Sequence, residues 1–467
     1  MLDNATIAAI ATPAGEGGIG IVRVSGAGAA AIAGRVFRRM GRAPVTVDLS
    51  TTESHRLLYG RIVDPATGDL IDEVLLGWMA GPHTYTREDT VELSCHGGPV
   101  PLRETLRVVL EAGARHAEPG EFTLRAFLNG RLDLTQAEAV LNVIGARTAE
   151  SLRLAVSDLA GDLTRRLAPA NAALISLLAY LDASADFPDD EIDTSDIDHG
   201  LAAAEEALTD VVAGSKAGIL LRDGARIALV GRPNVGKSSL LNALLRSDRA
   251  IVTPIAGTTR DVIEETVNLE GIPVTLLDTA GIVESDDVVE RIGVERSRQA
   301  LSTAAAIALV IDGSTEPTDG DLAVARTLAE RPIDERTPVA IVRNKRDMPN
   351  QVDQSAITSL LSDAPVIAIS ASTGEGLPDL EAALSELLRG GASGEARPSL
   401  ISARQQAAVK RALRHIHDAQ EARLLDVPQD LLATPVRAAL HAVGEVTGED
   451  VDESVIQEIF SRFCIGK

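Results

Sequence analysis

Gly231 to Ser238 reads GRPNVGKS, a spacing of glycines, lysine and hydroxyl suited to holding phosphates. Gly231 and Gly236 let the backbone curl so that successive N–H groups face phosphate oxygens. A helix N-terminus adds partial positive charge, Lys237 reaches the outer phosphates, and the Ser238 hydroxyl can ligate magnesium. An apolar run, Ile227 to Val230, precedes the loop and leucines at helical spacing follow it. Strand, glycine turn and helix start thus come in the order this pattern requires. Asn234 has two readings: a turn former, or a carbonyl donor to a monovalent cation.

Four further stations follow. TPIAGTTRD, Thr253 to Asp261, is a polar loop in which a threonine can close on magnesium and the γ-phosphate. TLLDTAG, Thr275 to Gly281, delivers Asp278 to the magnesium shell and the Gly281 N–H to the γ-phosphate. AIVRNKRD places Asn344, Lys345 and Asp347 at a strand end. The Asp347 carboxylate can accept from guanine N1–H and the 2-amino group, a pair adenine lacks. VIAISASTGEG sets Ser370 and Ala371 over the base. Together they predict a doubly wound α/β domain with ligands at the strand C-termini. Gly281 is followed by Ile-Val-Glu, without the glutamine that orients water in Ras-type switches. Glu284, Glu290 and Glu295 are the nearby candidates for that task.

The elements around this domain differ in texture. With 467 residues the chain exceeds a single core, and roughly 150 residues per domain suggests about three. Aromatic residues are only 2%, so the cores must rest on Leu, Ile, Val and Ala. A net charge of −24 argues against broad nucleic-acid binding, so any RNA contact is local or shared with a more basic partner. Cys95 and Cys464 are far apart and form no disulfide framework or zinc pattern. The N-terminus lacks a secretory pattern, and the most apolar stretch, Leu167 to Leu181, is interrupted by Pro169 and Asn171, so a reducing cytosol is expected.

Residues 1–120 predict an α+β domain with an antiparallel sheet: strands at Ile19–Val24, His55–Val63, Glu73–Trp78 and Thr90–Ser94, and a helix at Val100–Ala112. Arg23 and Glu92 fall inside apolar strands, where outward-facing charges are the simpler expectation. Cys95-His96 are chain neighbours, a poor arrangement for nucleophile and base. Residues 121–220 turn helical, with Thr135 and Glu138 fitting a capping box. Between Asp182 and Asp198 stand eight acidic residues and no basic ones, read as a solvated hinge in preference to a metal site. Residues 221–390 form the nucleotide domain. After the linker GGASGEARPSL, residues 391–467 are helical again; His415 and His417, two apart, face differently, and the apolar tail is expected to dock.

The opening DNATIAAIATPAGEGGIGIVRVSG, the stretch PGEFTLRAFLNGRLDLTQAEAV, the run DFPDDEID, the nucleotide-binding set and the closing FCIGK together resemble the tRNA-modification GTPases called MnmE or TrmE, over the whole chain. The resemblance implies a multidomain α/β and α protein: an N-terminal tetrahydrofolate-binding and dimerisation domain, and a P-loop GTPase domain inserted into an all-helical domain. It implies a homodimer that works with an FAD-dependent partner, FAD being on the partner only. Together they would add an aminomethyl or carboxymethylaminomethyl group to C5 of the wobble uridine of certain tRNAs. A 5-formyl- or methylene-tetrahydrofolate would supply the carbon, and GTP hydrolysis would be activated when G domains meet across potassium.

By the same resemblance GTP would contact Asn234, Val235, Gly236, Lys237, Ser238 and Ser239, then Thr253, Pro254, Ile255, Ala256, Gly257, Thr258 and Thr259. It would further contact Asp278, Thr279, Ala280 and Gly281, then Asn344, Lys345, Asp347, Ser370 and Ala371. Potassium would sit on Asn234, Thr253, Ile255 and Thr258, and magnesium on Ser238 and Thr259. Glu290 would hold the hydrolytic water, and Arg23, Glu92, Arg131 and Lys467 the folate. Lysine is common in the family where Arg131 stands, which changes the bonding geometry there. Cys464 lies beside the folate in this reading and is a candidate for the chemistry. The competing readings are a ribosome-assembly GTPase without modification chemistry, and a folate enzyme whose GTPase only regulates. Ribosome-assembly relatives usually append a basic RNA-binding module or a second G domain, and this acidic chain shows neither.

Overall fold

The computed structural model describes residues 4–41, 45–186, 195–246, 250–251, 266–278, 303–331, 337–349, 353–390, 398, 402–425 and 427–467. The first sheet takes β1 (Ile7–Ile10), β2 (Gly17–Ser25), β3 (Phe37–Arg39), β4 (Val45–Thr46), β5 (Arg56–Val63), β6 (Leu70–Met79), β7 (Thr90–Gly97) and β8 (Arg115–His116). Their order is β4-β3-β5-β6-β7-β2-β1-β8, antiparallel except for the β1–β8 pair. Alternation decides the faces. Val91, Leu93 and Cys95 point into a core shared with α1 (Ala29–Val36) and α2 (Pro99–Glu111), while Leu57 and Tyr59 stay exposed on the other side. The same alternation separates Cys95 from His96. Burial pushes the Cys95 thiol up to about 11, and His96 sits in solvent against Asp72 at 2.6 Å.

Helices then take over: α3 (Glu121–Leu128), α4 (Leu134–Gly145), α5 (Ala149–Leu159), α6 (Asp162–Asp186) and α7 (Ser195–Asp223). The cap of α4 is Asp133, not Thr135. Asp133 Oδ1 accepts from the Gln136 N–H at 2.8 Å, and Gln136 Oε1 accepts from the Asp133 N–H at 3.0 Å. Asp-x-x-Gln outcompetes Thr-x-x-Glu because Thr135 donates to Asp133 at 2.6 Å and Glu138 is drawn away by Arg404. Pro169 also fails to interrupt its segment. Leu167 and Ala170 beside it are buried in the bundle core, so tertiary packing carries α6 through the missing hydrogen bond. By length and composition Asp162–Ser184 could cross a membrane, yet Leu163, Leu167, Leu174 and Leu181 fill that bundle core. The acidic segment 187–194 lies outside the described residues. Asp196 and Asp198 fall in the first turn of α7, where carboxylates suit the helix dipole.

The second sheet holds β9 (Ala225–Val230), β10 (Ala250–Ile251), β11 (Thr266–Leu269), β12 (Ile272–Asp278), β13 (Ala306–Asp312), β14 (Val339–Asn344) and β15 (Val366–Ala368). In the order β10-β11-β12-β9-β13-β14-β15, the strands from β12 to β15 form a parallel doubly wound sheet, with an antiparallel edge at β10 and β11. Its described helices are α8 (Lys237–Arg246), α9 (Asp319–Ala329), α10 (Ser355–Thr358) and α11 (Leu377–Arg389). The chain closes with α12 (Ala403–Leu424), α13 (Gln429–Thr447) and α14 (Glu453–Ser461). Leucines and alanines of α6, α7, α12 and α13 share one core, so segments from both sides of the second sheet build a single bundle. His415 meets Asp418 and His417 meets Glu205, two separate contacts.

Candidate functional site

β9 ends at Val230 and the chain turns at Gly231, whose φ is 149°. A Cβ there would stand 2.3 Å from the Val310 carbonyl oxygen, so only glycine fits against β13. Asn234 takes φ 66°, a left-handed position that asparagine tolerates, and its side chain is exposed. Gly236 is equally confined: a Cβ would stand 2.2 Å from Asn344 Nδ2. Lys237, at the start of α8, is buried and its Nζ donates to the carbonyls of Gly231 at 2.7 Å and Arg232 at 3.0 Å. Ser238 and Ser239 occupy the first turn of α8.

Two strand ends converge on this loop. Asp278 closes β12 opposite Leu229 of β9, beside the start of the turn. Asn344 closes β14; its Nδ2 donates to Val235 O at 2.9 Å and its Oδ1 accepts from the Ala371 N–H at 3.0 Å. One buried amide thereby ties the phosphate loop to the segment carrying Ser370. Asp347 is exposed at the mouth, with Ser372 Oγ donating to it at 3.2 Å. Hydrogen bonding from Ser370, and then its own backbone, holds the Asp347 carboxyl below the usual range, so it is an acceptor at neutral pH. Thr253, Pro254, Ile255, Ala256, Gly257, Thr258, Thr259, Thr279, Ala280, Gly281, Glu284, Glu290 and Glu295 lie outside the described residues.

Sequence reasoning missed Asp312. It ends β13 almost fully buried, accepts from Lys345 Nζ at 2.6 Å and from Ser314 Oγ at 2.6 Å. Burial pushes its carboxyl up, but the Lys345 and Ser314 bonds outweigh that and hold it low. Lys345, at φ 66°, is thus positioned from below. The legible signal was an apolar strand, AIALVID, ending in a carboxylate.

A second constellation lies on the first sheet. Arg23 and Glu92 face each other in the β2–β7 register and pair at 2.8 Å. They are therefore partners, not separate outward charges. Arg23 also lies 5.6 Å over the Phe122 ring, and its Nη1 donates to Gly466 O at 3.3 Å. The tail docks here as expected. Gly466, at φ 95°, presses so close to β1 that a Cβ would stand 2.3 Å from Ile10 O. The Gly120 N–H donates to Cys464 O at 3.4 Å, leaving the Cys464 side chain exposed and Lys467 half-buried. Arg131 is placed differently, stacked 4.8 Å over Tyr85 and lining a cavity of about 500 Å³ with His83, Thr84 and Arg87.

Sheet and loop define a P-loop GTPase domain set within an all-helical domain and preceded by an α+β domain. Residues 134–464 match the family description "MnmE helical domain" and residues 6–131 match "GTP-binding protein TrmE N-terminus". Similar proteins include the tRNA modification GTPases MnmE of Roseiflexus castenholzii, 50% identical with 100% of both chains covered, and of Chloroflexus aurantiacus, 48% identical over 99% of this chain and 100% of the other. Among solved structures, a point variant of Aquifex aeolicus Era bound to GDP·AlF4⁻ is 28% identical, covering 41% of this chain and 66% of that one at a TM-score of 0.28. The chain belongs to the MnmE family of tRNA modification GTPases. It is a GTP-binding GTPase that takes part in tRNA modification.

Proposed function

We propose that this GTPase acts as a homodimer with an FAD-dependent partner protein to add an aminomethyl or carboxymethylaminomethyl group at C5 of the wobble uridine, in the cytoplasm. The domain assignment is 1–120 for folate binding and dimerisation, 121–220 and 391–467 for the helical domain, and 221–390 for the G domain. The observation that carries this reading is the meeting of Arg23, Glu92 and the docked tail, which joins the two ends of the chain at one polar spot. An ion pair beside an aromatic ring and a docked backbone carbonyl suits a pterin, which offers donors, acceptors and a flat face. Bound tetrahydrofolate supplies the one-carbon unit. Arg23 and Glu92 would orient it, Lys467 would contact it, Arg131 would reach it from the neighbouring cavity over Tyr85, which packs against the cluster holding Phe122, and Cys464 would be the nearby thiol.

In the G domain, the confined glycines and the buried Lys237 suit a phosphate chain, and Ser238 at a helix start suits magnesium. Ser238 and Thr259 would hold magnesium; Asn234, Thr253, Ile255 and Thr258 would hold potassium; Glu290 would position water. Potassium supplies positive charge where an arginine finger would otherwise act. The left-handed Asn234 serves the turn and leaves its side chain outward, so its two readings are compatible. Mass spectrometry of wobble uridines in a deletion strain tests the proposal. Loss of the modified uridine is expected, and unchanged uridines would overturn it.

A further inference from the structure

The turn joining β11 to β12 is a two-residue hairpin loop, Glu270-Gly271, at φ 48° and 94°. Positive φ at both positions is the tight primed geometry that matches strand twist, and it makes the hairpin stiff. This turn rests on the N-terminus of α5. Thr148 caps α5, its Oγ1 accepting from the Ser151 N–H at 3.1 Å, and the same hydroxyl donates to Gly271 O at 2.7 Å. A Cβ on Gly271 would stand 3.0 Å from Glu150 Cβ, so turn and helix are flush. Arg389 at the end of α11 holds the other side, donating to Glu270 O at 3.1 Å. Ala155 of α5 and Leu221 of α7 complete the apolar core under the second sheet.

From the turn, β12 runs to Asp278 beside the phosphate loop, about 20 Å at ~3.3 Å per residue. On the other side, Thr148 follows α4, and α4 is fastened twice. Its Glu138 accepts from Arg404 of α12 at 2.6 Å, and its Leu134 packs with Phe460 and Phe463 just before the docked tail. We infer that the Glu270–Gly271 turn is the joint through which the nucleotide at Gly231–Ser238 moves the helical domain and the C-terminal tail, with Thr148 as its positioning residue. The inference rests on nucleotide binding at that loop and is independent of the uridine chemistry. Coupling can be carried by stiff, packed elements that touch both sites, and β12, the turn on Thr148 and α4 form such a run.

Amide hydrogen exchange on the full-length protein with GDP or with GDPNP, in potassium, tests it. In the wild type, exchange in 134–145 and 453–467 is expected to differ between the two nucleotides. Thr148→Ser keeps both hydrogen bonds and should keep the difference. Thr148→Asp still caps α5 but cannot donate to Gly271 O, and should lose the difference while GDP affinity stays at the wild-type level. Thr148→Val, of the same shape, serves if the aspartate variant does not fold. Three results would overturn the inference: no nucleotide-dependent difference in the wild type, its survival in Thr148→Asp or Thr148→Val, or loss of nucleotide affinity in either.

Discussion

Asn344 Nδ2 donates to the Val235 carbonyl at 2.9 Å, so the residue ending β14 also fixes the floor of the phosphate loop. Replacing Asn344 by Ala would leave the Val235 carbonyl and the Ala371 N–H without this partner. Each buried unmet group costs about 1–3 kcal/mol, so GDP binding should weaken by roughly tenfold or more. Fluorescent-nucleotide titration reads this directly, and affinity within twofold of wild type, about 0.4 kcal/mol, would show that the two loops are held independently.

Asp347→Asn should move preference from guanine to xanthine nucleotides, since the amide can donate where the carboxylate only accepts. Because the Asp347 carboxyl is held below its usual range, it stays ionised above that range and is lost only as pH falls through its lowered value. Its share of GTP binding should therefore be flat between about pH 6 and 8. A competition titration between GTP and XTP checks the swap; unchanged GTP affinity would refute the base-reading role.

Glu121 is almost fully buried between Arg115 at 2.7 Å and Arg125 at 2.9 Å. Burial pushes its carboxyl up, but the Arg115 bond, the Glu118 amide and Arg125 win and hold it below 4.5. A lowered folded value stabilises above the ordinary value and is lost as pH falls through the folded one. Thermal unfolding should therefore show an acid-sensitive loss below about pH 4.5 that Glu121→Gln flattens. The variant should also lose about 1–3 kcal/mol at neutral pH, because the neutral amide replaces a carboxylate that bonds both arginines, while Arg125 keeps Glu88 at 3.1 Å and the Ala5 carbonyl at 2.9 Å.

Gly466→Ala would bring a Cβ within 2.3 Å of Ile10 O at a φ of 95°, which alanine strongly disfavours. The tail should undock, and amide hydrogen exchange in 463–467 should then be faster than in the wild type, since Phe463 and Gly466 are buried in the docked tail. Folate affinity, measured by calorimetry, should fall with it. Equal exchange and affinity would separate the tail from the pocket.

The nucleotide domain was largely legible because its chemistry is local: glycines, lysine and serine lie within one turn, and Asp278, Asn344 and Ser370 each stand at or just past the end of an apolar strand. The sheet strands were legible for the same reason, through alternation. What escaped depends on distant partners. Arg23 and Glu92 look like solitary charges until the β2–β7 register pairs them, and the tail contact spans 443 residues. For α4, Asp133 prevails over Thr135 because Thr135 bonds to Asp133 while Arg404, 266 residues from Glu138, draws that glutamate away. Asp312 carried a signal, a carboxylate ending an apolar strand, but its role depends on Lys345 at another strand end.

If Asn234 takes part in the proposed potassium site, GTP turnover should rise with potassium and stay low with sodium, since a cage of oxygen ligands would select a cation by size. Steady-state phosphate release in the two salts measures it. Equal rates would remove Asn234 from the catalytic set.

The most direct measurement is reconstitution: this chain, the flavoprotein partner, unmodified tRNA, a tetrahydrofolate donor, GTP and potassium, followed by mass spectrometry of the wobble nucleoside. A C5-substituted uridine is expected only when GTP and this chain are both present, and Asp347→Asn is expected to support it with XTP but not with GTP. A modified uridine formed without GTP, or none formed with every component present, would contradict the proposed function.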